Sequence, residues 1–234
     1  MKILLIGATH GNELLGVKVY ERLLKTHSPL LEHVIFMVGN PRAYAQGKRF
    51  MEADLNRCYG VDDATYESKR ARTISDEIQN KNPDIVIDIH TTTAVQPSCL
   101  IVNNLRGGAK RAFLRASHVS RVLKITSLSD ICSLRTNIIG YEVSTSSIEH
   151  DEVDKIIADM QRYVEGRVYE SAKLIYHAKG KIYANSVRKS DAMRFKNFEM
   201  SHLGYVPIMV GEDSYREQTD YIGFYASKEK HITV

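Results

Sequence analysis

The sequence predicts an α/β fold: a mixed, mostly parallel sheet with flanking helices, followed by a small, β-rich C-terminal domain. Two observations carry this. Short apolar runs at residues 1–6, 33–39, 84–90, 99–103 and 137–143 alternate with longer segments of helical periodicity, and that alternation implies crossover units and a buried parallel sheet. From about residue 171 the texture changes to short β-like pieces such as 181–184 and 206–210. The division expected is therefore 1–170 and 171–234.

Taken in order, residues 1–6 form a first strand that runs into a glycine-containing turn. Residues 13–25 form a helix, with Leu14, Val17 and Leu24 at helical spacing and Asn12 placed to cap it. The second strand, 33–39, is closed by Asn40-Pro41, a dipeptide that disfavours helix at position 40. Residues 65–81 form a charged amphipathic helix stopped by Pro83, and a strongly apolar third strand follows. A helix from about 108 to 124 separates the next two strands, and another runs from 151 to about 170.

A chain of 234 residues, 43% hydrophobic and 26% charged, can bury a real core and is not broadly disordered. No apolar run approaches the roughly 18–20 residues of a membrane-spanning helix. The opening apolar run stops at Gly7 without a small-residue cleavage site, so it reads as a strand rather than a signal peptide, and the expected address is the cytoplasm. The net charge of +4 is small and scattered, which does not point to nucleic acid; the densest basic stretch, 106–115, reads as a solvated helix face. Cys58, Cys99 and Cys132 are odd in number and outside any CxxC pattern, as expected of buried thiols.

Chemistry concentrates at two places. In Gly7-Ala8-Thr9-His10-Gly11-Asn12-Glu13, an imidazole and a carboxylate three apart stand where a strand gives way to a helix. That is the carboxyl edge of a sheet, where open α/β folds bind ligands. In Ile85-Val86-Ile87-Asp88-Ile89-His90, two polar residues share one face of an apolar strand, and each needs a partner if buried. His10, Glu13 and His90 together supply a three-ligand zinc site with an open fourth position, leaving Asp88 as a supporting acid. Between them, the 49–57 segment carries Arg49, Asn56 and Arg57, two guanidiniums and an amide suited to gripping a carboxylate. Glu142 interrupts the apolar strand 138–143; burial there would raise its pKa into a range useful for acid/base work.

Gly-Ala-Thr-His-Gly-Asn-Glu, Asn40-Pro41-Arg42-Ala43, Asp54-Leu55-Asn56-Arg57 and Asp88-Ile89-His90, in this order, resemble the aspartoacylase/succinylglutamate desuccinylase family, relatives of the zinc carboxypeptidases. The resemblance runs from residue 3 to about 143 and resumes near 210–215. It implies one zinc ion held by His10, Glu13 and His90. It further implies Asn56 and Arg57 on the substrate α-carboxylate, Arg49 beside the scissile carbonyl and Glu142 as the catalytic base. Arg135 resembles the arginine that reads a side-chain carboxylate, and Tyr215 the tyrosine of an Asn-Glu-x-x-Tyr segment that reaches the substrate. The chain departs from the family pattern at Ser144-Thr145-Ser146, where Gly-Pro is usual, and at Gln218, where a lysine is usual. Its β-rich tail is also short for the family.

The activity implied is hydrolysis of a small N-acyl amino acid, of the N-acetylaspartate or N-succinylglutamate kind. A zinc carboxypeptidase acting on short peptides and a catalytically idle metal-binding protein are the alternatives. The partner expected is a small molecule, neither nucleic acid nor membrane, and self-association stays open.

Overall fold

A computed structural model of the chain describes residues 1–126, 130–135, 137–147 and 151–228, without the side chains at 147 and 216–218. His150 and His231, which have no metal-ligand company in the sequence, and the side chain of Gln218 lie outside the described part. The elements in order are β1 (Ile3–Gly7), α1 (Leu15–Lys25), β2 (Val34–Val38), α2 (Pro41–Ala45), α3 (Tyr66–Lys81), β3 (Ile85–Thr92), β4 (Cys99–Val102), α4 (Gly108–Ala116), β5 (Arg121–Lys124), β6 (Ile138–Ser144), α5 (Glu152–Val164), β7 (Leu174–Tyr183), α6 (Lys189–Ala192), β8 (Val206–Ile208), α7 (Asp213–Gln218) and β9 (Tyr221–Lys228).

The strands form one sheet in the order β2-β1-β3-β6-β4-β5-β7-β9-β8. Pairing is parallel from β2 through β1 and β3 to β6, antiparallel between β6 and β4, and parallel again through β5 to β7. The β-rich segment after residue 171 adds β7, β9 and β8 to this same sheet by way of the β5–β7 pairing. Among the described residues no helix is long and apolar enough to cross a membrane.

Side-chain alternation sorts the strands onto two faces. Ile3 and Leu5, Ile85, Ile87 and Ile89, Leu100 and Val102, and Ile139, Tyr141 and Val143 join one core with α1, α4 and α5. On the other face Leu4, Ile6, Val86 and Ile138 pack under Ala71, Ile74 and Ile78 of α3. Cys99, Leu123 and Tyr176 of β4, β5 and β7 pack on Val206, Ile208, Tyr215, Tyr221 and Phe224 from the C-terminal segment. Asp88, His90 and Glu142 alternate onto this second face.

Several boundaries differ from expectation for identifiable reasons. Helix α1 begins at Leu15, and its N-cap is Leu14 without a side-chain bond, not Asn12. The Glu13 N–H instead closes a turn on the His10 carbonyl at 2.9 Å, which keeps residues 10–13 out of the helix. Asn40 does stop the second strand, but by capping α2: its Oδ1 accepts from Ala43 N, with Pro41 in the first turn. The helix expected over 108–124 ends at Ala116, because Ser117 Oγ and His118 N–H both bond the buried Asp159 carboxylate of α5, and residues 121–124 become β5. Helix α5 ends at Val164 and Gly166 follows at φ +68°, a left-handed turn that glycine adopts without strain.

Candidate active site

The chain runs from β1 outward to β2 and then back across to β3 on the other side of β1, so the strand order reverses there. His10 and Glu13 follow the carboxyl end of β1, and His90 sits near the carboxyl end of β3. This is the crevice where open α/β sheets bind ligands. The turn is held closely: a Cβ on Gly11 would lie 2.2 Å from both Ala43 C and Tyr44 N, so only glycine lets α2 press against it. Ala8, just before it, takes φ +53°, an uncommon backbone for alanine that redirects the chain out of the strand.

The Glu13 carboxylate lies between two imidazoles. Its Oε1 is 2.6 Å from His10 Nδ1, and its Oε2 is 3.0 Å from His90 Nδ1 and accepts from Thr91 N–H at 3.0 Å. One ligand atom from each of the three residues falls within 4.8 Å of the others, and all three residues are buried. The opposite ring nitrogens face carboxylates: His10 Nε2 meets Asp54 Oδ1 at 3.2 Å and His90 Nε2 meets Asp88 Oδ2 at 2.8 Å. Asp88 is fixed in turn by the Thr9 hydroxyl, which donates to its Oδ1 at 2.7 Å. This is the pattern by which carboxylates orient metal-binding histidines, with Nδ1 left for the metal. Burial works against the charged state of Glu13, but His10 and His90 hold its carboxyl well below the usual range. The donor set, two imidazole nitrogens and one carboxylate oxygen, suits a divalent zinc ion.

Around this triad lies a cavity of about 260 Å³ lined by Arg49, Asp54, Asn56, Arg57, Glu142 and Tyr215 among others. Arg49 donates to Glu13 Oε1 at 3.1 Å and approaches Asp54 Oδ2 at 3.5 Å, while its buried Nε has no partner. Asn56 reaches His90 Nε2 at 3.4 Å, and its buried Oδ1 also has no partner. Turning the carboxamide end for end would offer an NH₂ there. Unpaired buried polar atoms are uncommon, and here two of them stand at one cavity wall. Arg57 is exposed at the mouth among Asp54, Tyr215 and Tyr221.

Glu142 on β6 is the cross-strand neighbour of His90 on β3. Burial, then the nearby carboxylates of Glu13 and Glu212, push its pKa up to about 8 despite the two histidines. Ser144, at the departure from the family pattern, is buried and donates from its hydroxyl to the Ala94 carbonyl at 2.6 Å, tying β6 to the segment after β3. Tyr215 lines the cavity from α7, its hydroxyl 3.4 Å from Met209 Sδ. Arg135 is placed elsewhere: it precedes the amino end of β6, its guanidinium approaches Asn82 Oδ1 at 3.5 Å, and it does not line the cavity. The site lies at the carboxyl ends of the strands, so a residue just upstream of β6 starts from the wrong end of the sheet.

Residues 1–165 match the family model for the succinylglutamate desuccinylase/aspartoacylase catalytic domain. The chain belongs to this family. A probable aspartoacylase of Nostoc sp. is 35% identical over 115 residues, which is 44% of this chain and 39% of that relative. One from Trichodesmium erythraeum is likewise 35% identical over 115 residues, again 39% of its length. The match thus spans about two-fifths of these curated relatives. Murine aminoacylase 3 shares the fold at a TM-score of 0.70 and 20% identity, covering 98% of this chain and 95% of the other. Succinylglutamate desuccinylase of Chromobacterium violaceum does so at 0.70 and 15%, covering 100% and 86%.

Within this family framework, several residues that build the site escaped sequence reasoning. Glu67 of α3 is buried and accepts from Asn40 Nδ2, Met51 N, Glu52 N and Ala53 N at 2.7–3.2 Å, which fixes the segment bearing Arg49, Asn56 and Arg57. Glu212 accepts from the Thr92 hydroxyl at 2.5 Å and Thr93 N–H at 2.8 Å, and so docks α7 on the end of β3. Asp54, in the sequence simply the first residue of Asp54-Leu55-Asn56-Arg57, faces His10 Nε2. Asp130 also faces the cavity, with burial raising its pKa to about 6. The one available signal was Asn40, whose cap and Nδ2 bond join α2 to Glu67.

Proposed function

We propose that the chain is a zinc-dependent amidohydrolase that cleaves a small N-acyl amino acid into a carboxylate and a free amino acid. The observation that carries this reading is the meeting of three groups in one cavity: the His10–Glu13–His90 triad, Glu142, and the Arg49–Asn56–Arg57 wall. Membership of a deacylase family supports it.

His10, Glu13 and His90 would hold the zinc ion, with Asp54 and Asp88 orienting the imidazoles from behind. Zinc in such a site supplies Lewis acidity and lowers the pKa of water. Arg57 and Asn56 bind the α-carboxylate and so set the scissile amide across the cavity. Glu142 takes a proton from water as the water oxygen attacks the acyl carbon. The protonated Glu142 then holds the proton for the second half of the reaction. Arg49, with its free Nε, donates to the carbonyl oxygen as negative charge gathers there. Glu142 then delivers the proton to the amide nitrogen while the C–N bond breaks, and the amine leaves neutral.

The test is release of free amine from a panel of N-acyl amino acids and short peptides by zinc-loaded protein. Turnover of N-acyl amino acids with little peptide cleavage is expected. Cleavage of peptides alone would transfer the site to carboxypeptidase chemistry, and no turnover of either would leave a metal-binding protein.

A further inference from the structure

Building on the deacylase reading, we infer that the cavity takes an N-acyl amino acid with a single carboxylate and an apolar group, rather than one with a second carboxylate. Among the described residues, the arginines lining the cavity are Arg49 and Arg57. The charge of Arg49 is already paired with Glu13 and Asp54, which leaves Arg57 as the arginine for a substrate carboxylate. The other charged groups facing the same space are carboxylates, Asp130 and Glu212 among them. A second substrate carboxylate would be buried beside them with no further cation among the described residues, an arrangement that electrostatics disfavours.

The wall beyond Glu142 has the opposite character. Cys99 is the antiparallel cross-strand partner of Glu142, and Ile101 follows two residues on along the same face of β4. Ile101, Ile125, Met209 and Phe224 all line the cavity. They belong to, or pack against, the third apolar cluster, so this wall is core exposed to the site rather than a loose surface. An apolar substrate group placed there covers the little apolar surface that Ile101, Ile125, Met209 and Phe224 still turn to the cavity, and it demands no counter-ion. The same chemistry can come from the amino-acid side chain or from the acyl chain.

Three compounds separate these cases: N-acetyl-leucine, N-hexanoylglycine and N-acetyl-aspartate, each assayed for kcat/KM with zinc-loaded protein. At least one of the first two should exceed N-acetyl-aspartate by roughly tenfold or more, the scale of discrimination of apolar pockets. The better of the two tells which end of the substrate meets the wall. In Ile101→Ala the profile should move toward bulkier apolar groups. N-acetyl-aspartate as the equal or better substrate would overturn the inference, as would an unchanged profile in Ile101→Ala. Calorimetric titration of the same compounds into zinc-loaded Glu142→Gln reads the affinity order without turnover. If the wild type hydrolyses none of them, the deacylase reading fails, and the calorimetric order still decides whether the wall selects apolar groups.

Discussion

His90 and Glu142 stand opposite each other on the parallel neighbours β3 and β6, and both face the same cavity. The proposed metal ligand and the proposed proton acceptor are therefore set by one sheet register. A slip of one residue in either strand would turn one of them into the opposite core. Their alignment rests on the backbone ladder from Val86↔Ile138 to Thr92↔Ser144, not on a loop.

Removing a ligand should remove the metal. His10→Ala or His90→Ala should lower bound zinc from one per chain to a small fraction, with the far-ultraviolet circular dichroism retained. The triad sits at the strand ends, outside the apolar clusters that hold the sheet together. Elemental analysis reads the outcome, and full occupancy in both variants would remove the ligand assignment.

Acid should loosen the 49–57 segment. Burial disfavours the Glu67 carboxylate, but its three backbone N–H donors and Asn40 lower its pKa below the ordinary 4.5. A depressed folded-state pKa means that this stabilisation is complete above about 4.5 and disappears as pH falls through the lower folded value. Glu67→Gln keeps one acceptor oxygen and turns an NH₂ toward N–H donors, so it should cost about 1–3 kcal/mol at neutral pH. Urea unfolding of wild type and variant between pH 7 and 3 checks this: the difference should shrink on the acid side.

Gly11→Ala should be costly out of proportion to one methyl group. The added carbon meets the Ala43–Tyr44 peptide at 2.2 Å, and backbone on both sides must move. Overpacking of this kind costs about 1–3 kcal/mol. Because the displaced turn carries His10 and Glu13, zinc affinity should fall along with the melting temperature. Unaltered zinc binding would show that the turn adapts.

Arg57 and Arg135 should separate cleanly. Arg57→Leu should raise KM for every N-acyl amino acid, since Arg57 stands at the cavity mouth. Arg135→Leu, at the amino end of β6 beside Asn82, should leave kcat/KM within about twofold, as surface substitutions away from a site usually do. Selective loss on acidic substrates in Arg135→Leu would mean that it reaches the site after all.

Much of the fold was legible because the β1, β3 and β6 runs are apolar on both faces, as buried parallel strands require, and helices separate them. Strand β5 was not: Val119, Val122, Leu123 and Ile125 suit a helix as well as a strand, and what ends α4 is Asp159, more than 40 residues away. That His10, Glu13 and His90 come together was legible because His10 and Glu13 stand three apart just after the first apolar run and His90 closes the third. The part of Glu67, and the docking of Glu212 on the end of β3, were not, because their partners are side chains and amides up to 120 residues distant. Arg135 looked suitable by position relative to Glu142, but a strand places residues before it and within it at opposite ends of the sheet.

The central claim is that Glu142 moves the proton at a zinc site that hydrolyses N-acyl amino acids. The most direct measurement is the turnover of zinc-loaded Glu142→Gln on the best N-acyl substrate, with metal content determined on the same sample. kcat should fall by roughly 10²–10⁴-fold while one zinc per chain is retained, the range for loss of a positioned acid/base. Near-normal turnover with zinc in place would contradict it.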